Sequence, residues 1–174
     1  MMVEVSTDEA PFLLDLIEQR RAFGQSRWDE WRHGAYRIMP IPTPEHARVV
    51  MSIATFMQER LQSPDLTLAI GTNVGTDLVD ACVPEVVIFR RDTERTSEAF
   101  LATAELVVEV LVPGEPPGEK MRLYGSWNVT EYLEVDIDAV TAKLFSNHGR
   151  AWVPINHSGV IDFTVDEMLA RLPD

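Results

Sequence analysis

The run from Leu106 to Leu111 constrains the fold more than any other part of the sequence. It reads Leu-Val-Val-Glu-Val-Leu, almost continuously apolar and rich in β-branched residues. Such a run is typical of a strand buried on both faces of a sheet. A covering helix is also indicated, because apolar residues recur three or four apart from Glu45 to Gln62. The sequence therefore predicts an α/β (α+β) fold, in which a mixed β-sheet is flanked by helices.

The rest of the chain adds elements of the same kinds. An N-terminal helix is predicted up to about Phe23, and residues 28–41 have the pattern of a β-hairpin that turns at Gly34. No repeat or linker divides the chain, which predicts one domain over residues 1–174, with 1–27 as a helical extension and 28–172 as the main body. The other predicted elements are strands at 66–70, 78–89, 131–135 and 140–145, a helix from Glu119 to Tyr124 or Trp127, and a last helix after the capping box Thr164-x-x-Glu167.

The charge of the chain limits its partners. With 28 Asp and Glu against 15 Lys and Arg, the 174 residues carry a formal net charge of -13. This argues against loose, sequence-independent binding to DNA or RNA, which relies on many contacts of Lys and Arg with phosphates. It does not exclude a nucleic-acid substrate, because a bound divalent cation would offset the charge locally.

The N-terminal sequence and the single cysteine indicate a cytoplasmic protein. Cys82 has no cysteine partner in the chain, and its strand-like setting predicts a buried, inert thiol. The first residues contain no basic segment that leads into an apolar run, and no stretch approaches the roughly 18 apolar residues of a membrane span. No membrane partner is expected.

Two glutamates lie inside the most apolar predicted strands. Glu85 follows Pro84, and Glu109 interrupts the run described above. An unpaired ionised carboxylate in such a setting costs several kcal/mol, or its pKa shifts until the group is neutral, so both side chains need compensation. Oxygen ligands of this kind suit Mg²⁺ or Mn²⁺. Lys120, one of only two lysines in the chain, begins a predicted helix shortly after Glu109.

Together these segments resemble the Uma-type family, restriction-endonuclease-like proteins of the PD-(D/E)XK nuclease superfamily. The resemblance covers roughly residues 28–172 and depends on the order and spacing of the motifs. The matching segments are Glu30-Trp31-Arg32-His33-Gly34, His46 at a helix start, Pro84-Glu85-Val86-Val87-Ile88, Leu106 to Leu111, Lys120-x-x-x-Tyr124, Glu131 to Asp136 and Phe163 to Leu169.

The resemblance implies a restriction-endonuclease-like fold and a role for each matching residue. It implies a metal site of Glu85, Glu109 and Val110 for Mg²⁺ or Mn²⁺, with Lys120 as the lysine that this family carries on the following helix. Glu30 would be the helper acid, and His46 would contact phosphate or act as a general base. The implied partners are nucleic acid, DNA rather than RNA, and a second copy of the chain.

The chain departs from the family pattern in two regions. The usual Pro-Asp is Pro84-Glu85, which lengthens the acidic arm by one methylene, and Val112-Pro113-Gly114 replaces a small polar segment. Pro116 stands where an acidic residue is common, four residues before Lys120. These departures motivate a second hypothesis, a degenerate nuclease fold that serves as a dimeric binding or assembly module. A third hypothesis is a hydrolase of small phosphorylated molecules, although no phosphate-cradling glycine loop is present.

A purely structural interpretation of each residue also stays open. Glu85 would then be an edge-strand residue after a proline, and Glu109 would pair with an arginine such as Arg122. Lys120 would be a solvated residue at a helix start, and His46 would cap or pack the helix. Two larger groups have the same alternative: the tryptophans would fill core or interface, and Arg90, Arg91 and Arg95 would lie in a solvated loop.

Overall fold

The structure is a computed structural model, which describes residues 3–5, 10–76, 80–97, 100–111, 118–149 and 151–173. The helices are α1 Ala10–Ala22, α2 Pro44–Arg60, α3 Glu119–Ser126 and α4 Val165–Leu169, with a short 3₁₀ helix at Gln25–Trp28. The strands are β1 Val3–Val5, β2 Glu30–Arg32, β3 Ala35–Ile38, β4 Leu66–Ile70, β5 Asn73–Gly75, β6 Ala81–Cys82, β7 Val86–Arg90, β8 Arg95–Ser97, β9 Phe100–Leu101, β10 Leu106–Val110, β11 Glu131–Asp136, β12 Thr141–His148, β13 Ala151–Ile155, β14 His157–Ser158 and β15 Phe163–Thr164.

The central layer is a six-stranded mixed sheet in the order β13-β12-β11-β10-β7-β4. Strands β10 and β11 run parallel, and the other neighbours run antiparallel. All five residues of β10 are buried. Helix α2 contributes to the core on one face of this sheet, and α3 contributes to the core on the other face. The predicted mixed sheet flanked by helices is therefore confirmed.

The predicted hairpin belongs to a second sheet of seven strands, in the order β1-β3-β2-β6-β5-β9-β8. Strands β2 and β3 pair antiparallel across the turn at His33 and Gly34. Both turn residues have positive φ, 54° and 75°, which is the geometry of a tight hairpin turn. Glycine adopts this conformation without steric cost. The hairpin brings Glu30 and Arg32 next to the central sheet.

Local sequence signals explain where two of the helices begin. In α2, Thr43 is the N-cap, its side chain accepts a hydrogen bond from the His46 amide, and Pro44 occupies the first turn. The predicted capping box at α4 is present, with Thr164 and Glu167 each accepting from the other's backbone N–H. No helix among the described residues is both long enough and apolar enough to cross a membrane.

The continuous strand predicted at 78–89 is wrong. Residues 77–79 lie outside the described residues, and the remainder divides into β6 and β7, which belong to different sheets. The division falls at Val83, Pro84 and Glu85, because proline has no N–H with which to continue a ladder. Strand β13 and the short strands β8 and β9 were not predicted. The sequence also predicts a loop at 113–118, of which residues 113–117 lie outside the described residues.

Candidate functional site

Lys120 is the centre of a buried cluster of charged side chains. Its Nζ lies 2.6 Å from Oε2 of Glu109 and 3.1 Å from Oε1 of Glu30. Only 7% of Lys120 is exposed, so the structure buries this lysine at the start of α3 rather than leaving it solvated. An ammonium at a helix N-terminus opposes the helix dipole, and the two carboxylates offset that cost. Glu109 lies on β10, and Glu30 lies on β2.

Glu109 is bonded through both of its carboxylate oxygens. Oε2 accepts from Lys120, and Oε1 accepts from the hydroxyl of Tyr124, which is fully buried one helical turn after the lysine. Burial raises the pKa of Tyr124 well above its usual range, and the negative charge of Glu109 raises it further. Tyr124 therefore remains a neutral donor to Glu109. Arg122 has an exposed side chain, so the buried lysine takes the place expected for an arginine partner.

Glu30 is held in place by β2 and by the chain before Pro84. Its Oε2 accepts from Nε of Arg32 at 2.8 Å, and its Oε1 accepts from the amide of Val83 at 2.9 Å. Burial by itself would raise the pKa of Glu30, but the positive charges of Lys120 and Arg32 and the Val83 N–H bring it below its ordinary value. The Glu30 carboxylate is therefore ionised in the folded protein, and it can form an ion pair with Lys120.

Glu119 connects the hairpin to α3. One oxygen lies 3.1 Å from an Arg32 nitrogen, and the other accepts from Arg37 at 2.8 Å. No role of Glu119, Arg32, Arg37 or Tyr124 was predicted from the sequence. Two weak signals were present, since Glu30 and Arg32 share a face of a strand and Lys120 and Tyr124 share a face of a helix. No local signal pairs Glu119 with arginines more than eighty residues away.

Glu85 and His46 form a second polar group. The Val110 amide donates to Oε2 of Glu85 at 3.0 Å. Nε2 of His46 lies 3.5 Å from Oε1 of the same carboxylate, and both side chains are about one-sixth exposed. His46 thus takes part in the start of α2 through its backbone while its ring faces Glu85.

A cleft joins the two polar groups. It has a volume of ≈ 680 Å³, and Glu30, His46, Glu85 and Lys120 all line it. Glu109 is 3% exposed and lies beside Lys120. The structure therefore brings Glu30, Glu109 and Lys120 into direct contact, and it places His46 and Glu85 together in the same cleft. Val110 joins the groups through its amide.

The donors at this site are the kind that a hard cation prefers. Val86 pairs with Val108, so Glu85 and Glu109 are the next residues along two neighbouring antiparallel strands. The two carboxylates offer oxygen ligands, which fit Mg²⁺ or Mn²⁺. Among the described residues no group of three His, Cys, Asp or Glu side chains is arranged to hold a metal ion. Binding through Glu109 would require it to exchange its bond to Lys120 or Tyr124.

Several other residues follow the structural interpretation. Cys82 is fully buried, and burial raises the pKa of its thiol well above its ordinary value, as expected of an inert cysteine. Arg90, Arg91 and Arg95 have exposed side chains. Trp127 is buried in the core beside α3, and Trp152 donates to the carbonyl of Met121.

Comparisons with known proteins agree with this architecture. The model of the Uma2 family, described as "Putative restriction endonuclease", matches residues 18–169. The fold is similar to the crystal structure of a putative nuclease belonging to DUF820 from Anabaena variabilis, with a TM-score of 0.63 and 14% identity over 83% of this chain and 91% of that chain. No curated protein matches the chain. The structural likeness, at this identity, concerns the fold alone, which is restriction-endonuclease-like.

Proposed function

The chain belongs to the Uma2 family of restriction-endonuclease type, and from that membership and the cluster around Lys120 we propose that it is a divalent-metal-dependent phosphodiester hydrolase acting on nucleic acid. The observation that carries the proposal is a buried lysine held between Glu109 and Glu30 on the wall of a cleft that also contains Glu85 and His46. Burying three charged groups in contact is costly for stability, and active sites are where such arrangements are concentrated.

Glu85, Glu109 and the main-chain carbonyl of Val110 are the residues that would hold Mg²⁺ or Mn²⁺. The bound ion would supply Lewis-acid polarisation of the scissile phosphate and a more acidic water. Glu85 is accessible from the cleft, and its bond to the Val110 amide keeps its carboxylate beside that residue. Either cation accepts this donor set.

The other residues act on the phosphate and on the proton. The ammonium of Lys120 stabilises negative charge that develops on the phosphoryl oxygens, and preorganised electrostatic stabilisation of this kind is usually the largest single term in catalysis. Glu30 keeps Lys120 charged and in place. His46, oriented by Glu85, accepts a proton from the attacking water.

The proposed substrate is DNA rather than RNA, and the proposed setting is a homodimer in the cytoplasm. The family description supports DNA. Exposed apolar side chains on and after α1 support a second copy of the chain, because Phe12, Leu14 and Phe23 are 75%, 59% and 77% exposed.

Cleavage assays with matched variants test the proposal. Purified protein is incubated with single-stranded and duplex DNA and with RNA, in Mg²⁺ or Mn²⁺ and in a chelator. We expect metal-dependent cleavage that falls by about 100-fold or more in Glu109→Gln and Glu85→Gln, the effect typical of removing one preorganised catalytic group. Calorimetry measures the affinity for metal in parallel, and both variants should bind metal more weakly than the wild type.

The control is Glu105→Gln, which changes a glutamate just before β10 whose carboxylate accepts from Thr130. This variant should keep wild-type cleavage and metal affinity. Glu85 is partly exposed, so its substitution leaves the fold intact even if that of the buried Glu109 does not. The proposal is wrong if the wild-type protein cleaves no nucleic acid and calorimetry detects no bound metal.

A second candidate function is a catalytically degenerate binding or assembly module. The observation that favours it is the full engagement of Glu109, whose two oxygens already bond to Lys120 and Tyr124. On this view the cluster is a structural element. Metal affinity would then be the same in wild type and Glu109→Gln, while substitution of Phe12 and Phe23 would dissociate a dimer in sedimentation measurements.

A further inference from the structure

The cleft has two chemically different parts. The polar lining residues include the candidate catalytic groups Glu30, Glu85 and Lys120. Most of the other lining residues are apolar. They come from the 3₁₀ helix, the segment between β3 and α2, α2 itself and positions at or beside the ends of strands; among them are Trp28, Met39, Ile41, Pro42 and Ile70. An occupant that satisfies both parts has a charged group joined to a flat, weakly polar body, as a nucleotide does.

Trp28 is the aromatic residue among the lining residues of the cleft, and its indole packs closely against Gly71. A Cβ at Gly71 would lie 2.6 Å from Cζ3 and 2.9 Å from Cη2 of the indole, so only glycine permits this contact. Gly71 has a φ of +59°, which also favours glycine. The indole is thus held against the backbone next to β4 while it lines the cleft.

Arg27 adds a positive charge to the same wall. Its guanidinium lies 5.2 Å from the centroid of the Trp28 ring, within cation–π distance, and its side chain also lines the cleft. Guanidinium and indole groups are the two kinds of surface on which proteins stack unpaired bases. The pair therefore offers a stacking surface next to a charge that attracts phosphate.

The remaining charges of the cleft do not suit a duplex. Its lysine and arginine residues are Lys120 and Arg27, whereas Glu30, Glu45, Glu85 and Asp138 are acidic. Proteins that bind duplex DNA rely on many contacts of Lys and Arg with the phosphates of both strands. A volume of ≈ 680 Å³ falls in the range of pockets for small ligands, which accommodates a nucleotide unit but not a double helix.

From these observations we propose that the cleft takes single-stranded or unpaired DNA, with one base stacked on the Arg27–Trp28 pair and an adjoining phosphate at Lys120. This inference rests on the proposed function and adds to it the substrate class and a specificity-determining residue, Trp28. A base inside a duplex must be unpaired before it enters such a site, at a cost of a few kcal/mol, so the enzyme discriminates against intact duplex.

Two measurements on the same variants test the inference. Fluorescence anisotropy gives the Kd of a labelled single strand, the same strand in duplex, the corresponding RNA and an abasic strand, in Ca²⁺ as a cation with the same oxygen ligands. Cleavage rates on the four substrates are then measured in Mn²⁺. We expect the single strand to be bound and cleaved in preference to the duplex, and the abasic strand to lose much of that advantage.

Trp28→Ala should weaken single-strand binding by about 5- to 150-fold, which corresponds to the 1–3 kcal/mol of one stacked base. Trp28→Phe keeps an aromatic ring and should restore most of the affinity, and thermal unfolding shows whether either variant has lost the fold. The control is Val153→Ala, which shortens an exposed apolar side chain on β13 that does not line the cleft. It should leave both measurements unchanged.

The outcomes separate this inference from the proposed function. Equal cleavage of duplex and single strand, or Trp28→Ala with unchanged single-strand affinity, overturns the inference while the nuclease proposal stands. Binding of single strands that depends on Trp28, without cleavage in any metal, supports the inference and contradicts the nuclease proposal. An RNA strand bound more tightly than the DNA strand overturns the inference of a DNA substrate, and no binding of any strand overturns the inference as a whole.

Discussion

Tyr124 illustrates how one residue controls the state of the candidate metal ligand. Its hydroxyl donates to Oε1 of Glu109, and both side chains are buried. A buried carboxylate oxygen that loses its donor costs about 1–3 kcal/mol, more than the bond itself contributes. The same bond competes with a cation for Glu109. Tyr124 thus stabilises the metal-free protein, and under the proposed function it would oppose metal binding.

Replacing Tyr124 by phenylalanine therefore has two predicted effects of opposite sign. Without metal, Tyr124→Phe should lower the free energy of unfolding by about 1–3 kcal/mol, which is about 2–4 °C in Tm per kcal/mol for a chain of this size. With saturating Mn²⁺, the variant should recover more Tm than the wild type does, because Glu109 no longer exchanges a bond. Thermal unfolding with and without Mn²⁺ measures both effects.

The matched control is Tyr36→Phe. Tyr36 is buried on β3 and donates to Oδ2 of Asp29 at 2.6 Å, away from Glu109. The Tyr36→Phe variant should have a lower Tm without metal, but Mn²⁺ should raise its Tm by the same amount as in the wild type. An equal Mn²⁺ response in Tyr124→Phe and wild type would mean that Glu109 is not a metal ligand.

At the scale of elements, the site forms where the hairpin β2–β3 meets α3. The sequence predicted both elements, because a turn glycine and a helix-spaced pattern are local signals. It also predicted α2 from its apolar stripe, and the structure buries Val49, Val50 and Ile53 of that stripe. Local patterns therefore identified the elements that support the cleft.

The contacts between those elements could not be predicted in the same way. Glu119 meets Arg32 across 87 residues of chain, and Lys120 meets Glu30 from the same distant strand. Such pairs depend on how the second sheet is placed against the first, which no periodicity encodes. The division of the strand at 78–89 was missed for a related reason, since its two parts are both apolar but pair in different sheets. Glu85 owes its position to that division.

The contact between hairpin and helix gives an element-scale prediction. Glu119→Ala removes the carboxylate that Arg32 and Arg37 share in a buried setting. Removing one member of a buried ion pair costs about 3–5 kcal/mol, because the remaining charge stays desolvated. We expect a loss of that size in urea unfolding, together with lower nuclease activity, because Lys120 is the next residue of α3.

The comparison is Asp92→Ala, which breaks an ion pair with Arg90 at 3.2 Å whose carboxylate is 76% exposed. Exposed pairs contribute about 0–1 kcal/mol, so this variant should unfold almost as the wild type does. A similar loss of stability in the two variants would show that the Glu119 contacts do not hold the hairpin on α3.

At the scale of the whole molecule, the net charge and the cleft act in opposite directions on a nucleic acid. A formal net charge of -13 repels a polyanion over about 10 Å at 0.1 M salt, beyond which the repulsion is screened. In the proposed function, the cleft supplies the attraction through Arg27, Lys120 and a bound cation. A basic nuclease instead attracts its substrate across a broad surface. The two kinds of protein respond differently to salt.

The slope of log Kd against log salt concentration measures this difference. Each phosphate neutralised by a single-strand binder contributes about 0.7 to the slope, so the two cations of the cleft limit it to about 1.4, or about a sevenfold weakening between 50 and 200 mM salt. Arg27→Gln should lower the slope by about 0.7, whereas Arg95→Gln, an exposed residue on β8 outside the cleft, should leave it unchanged. Anisotropy titrations in Ca²⁺ at four salt concentrations give the slopes. A wild-type slope above about 4 would require six or more phosphate contacts, which the lining of this cleft does not provide, and the strand would then have to bind elsewhere on the molecule.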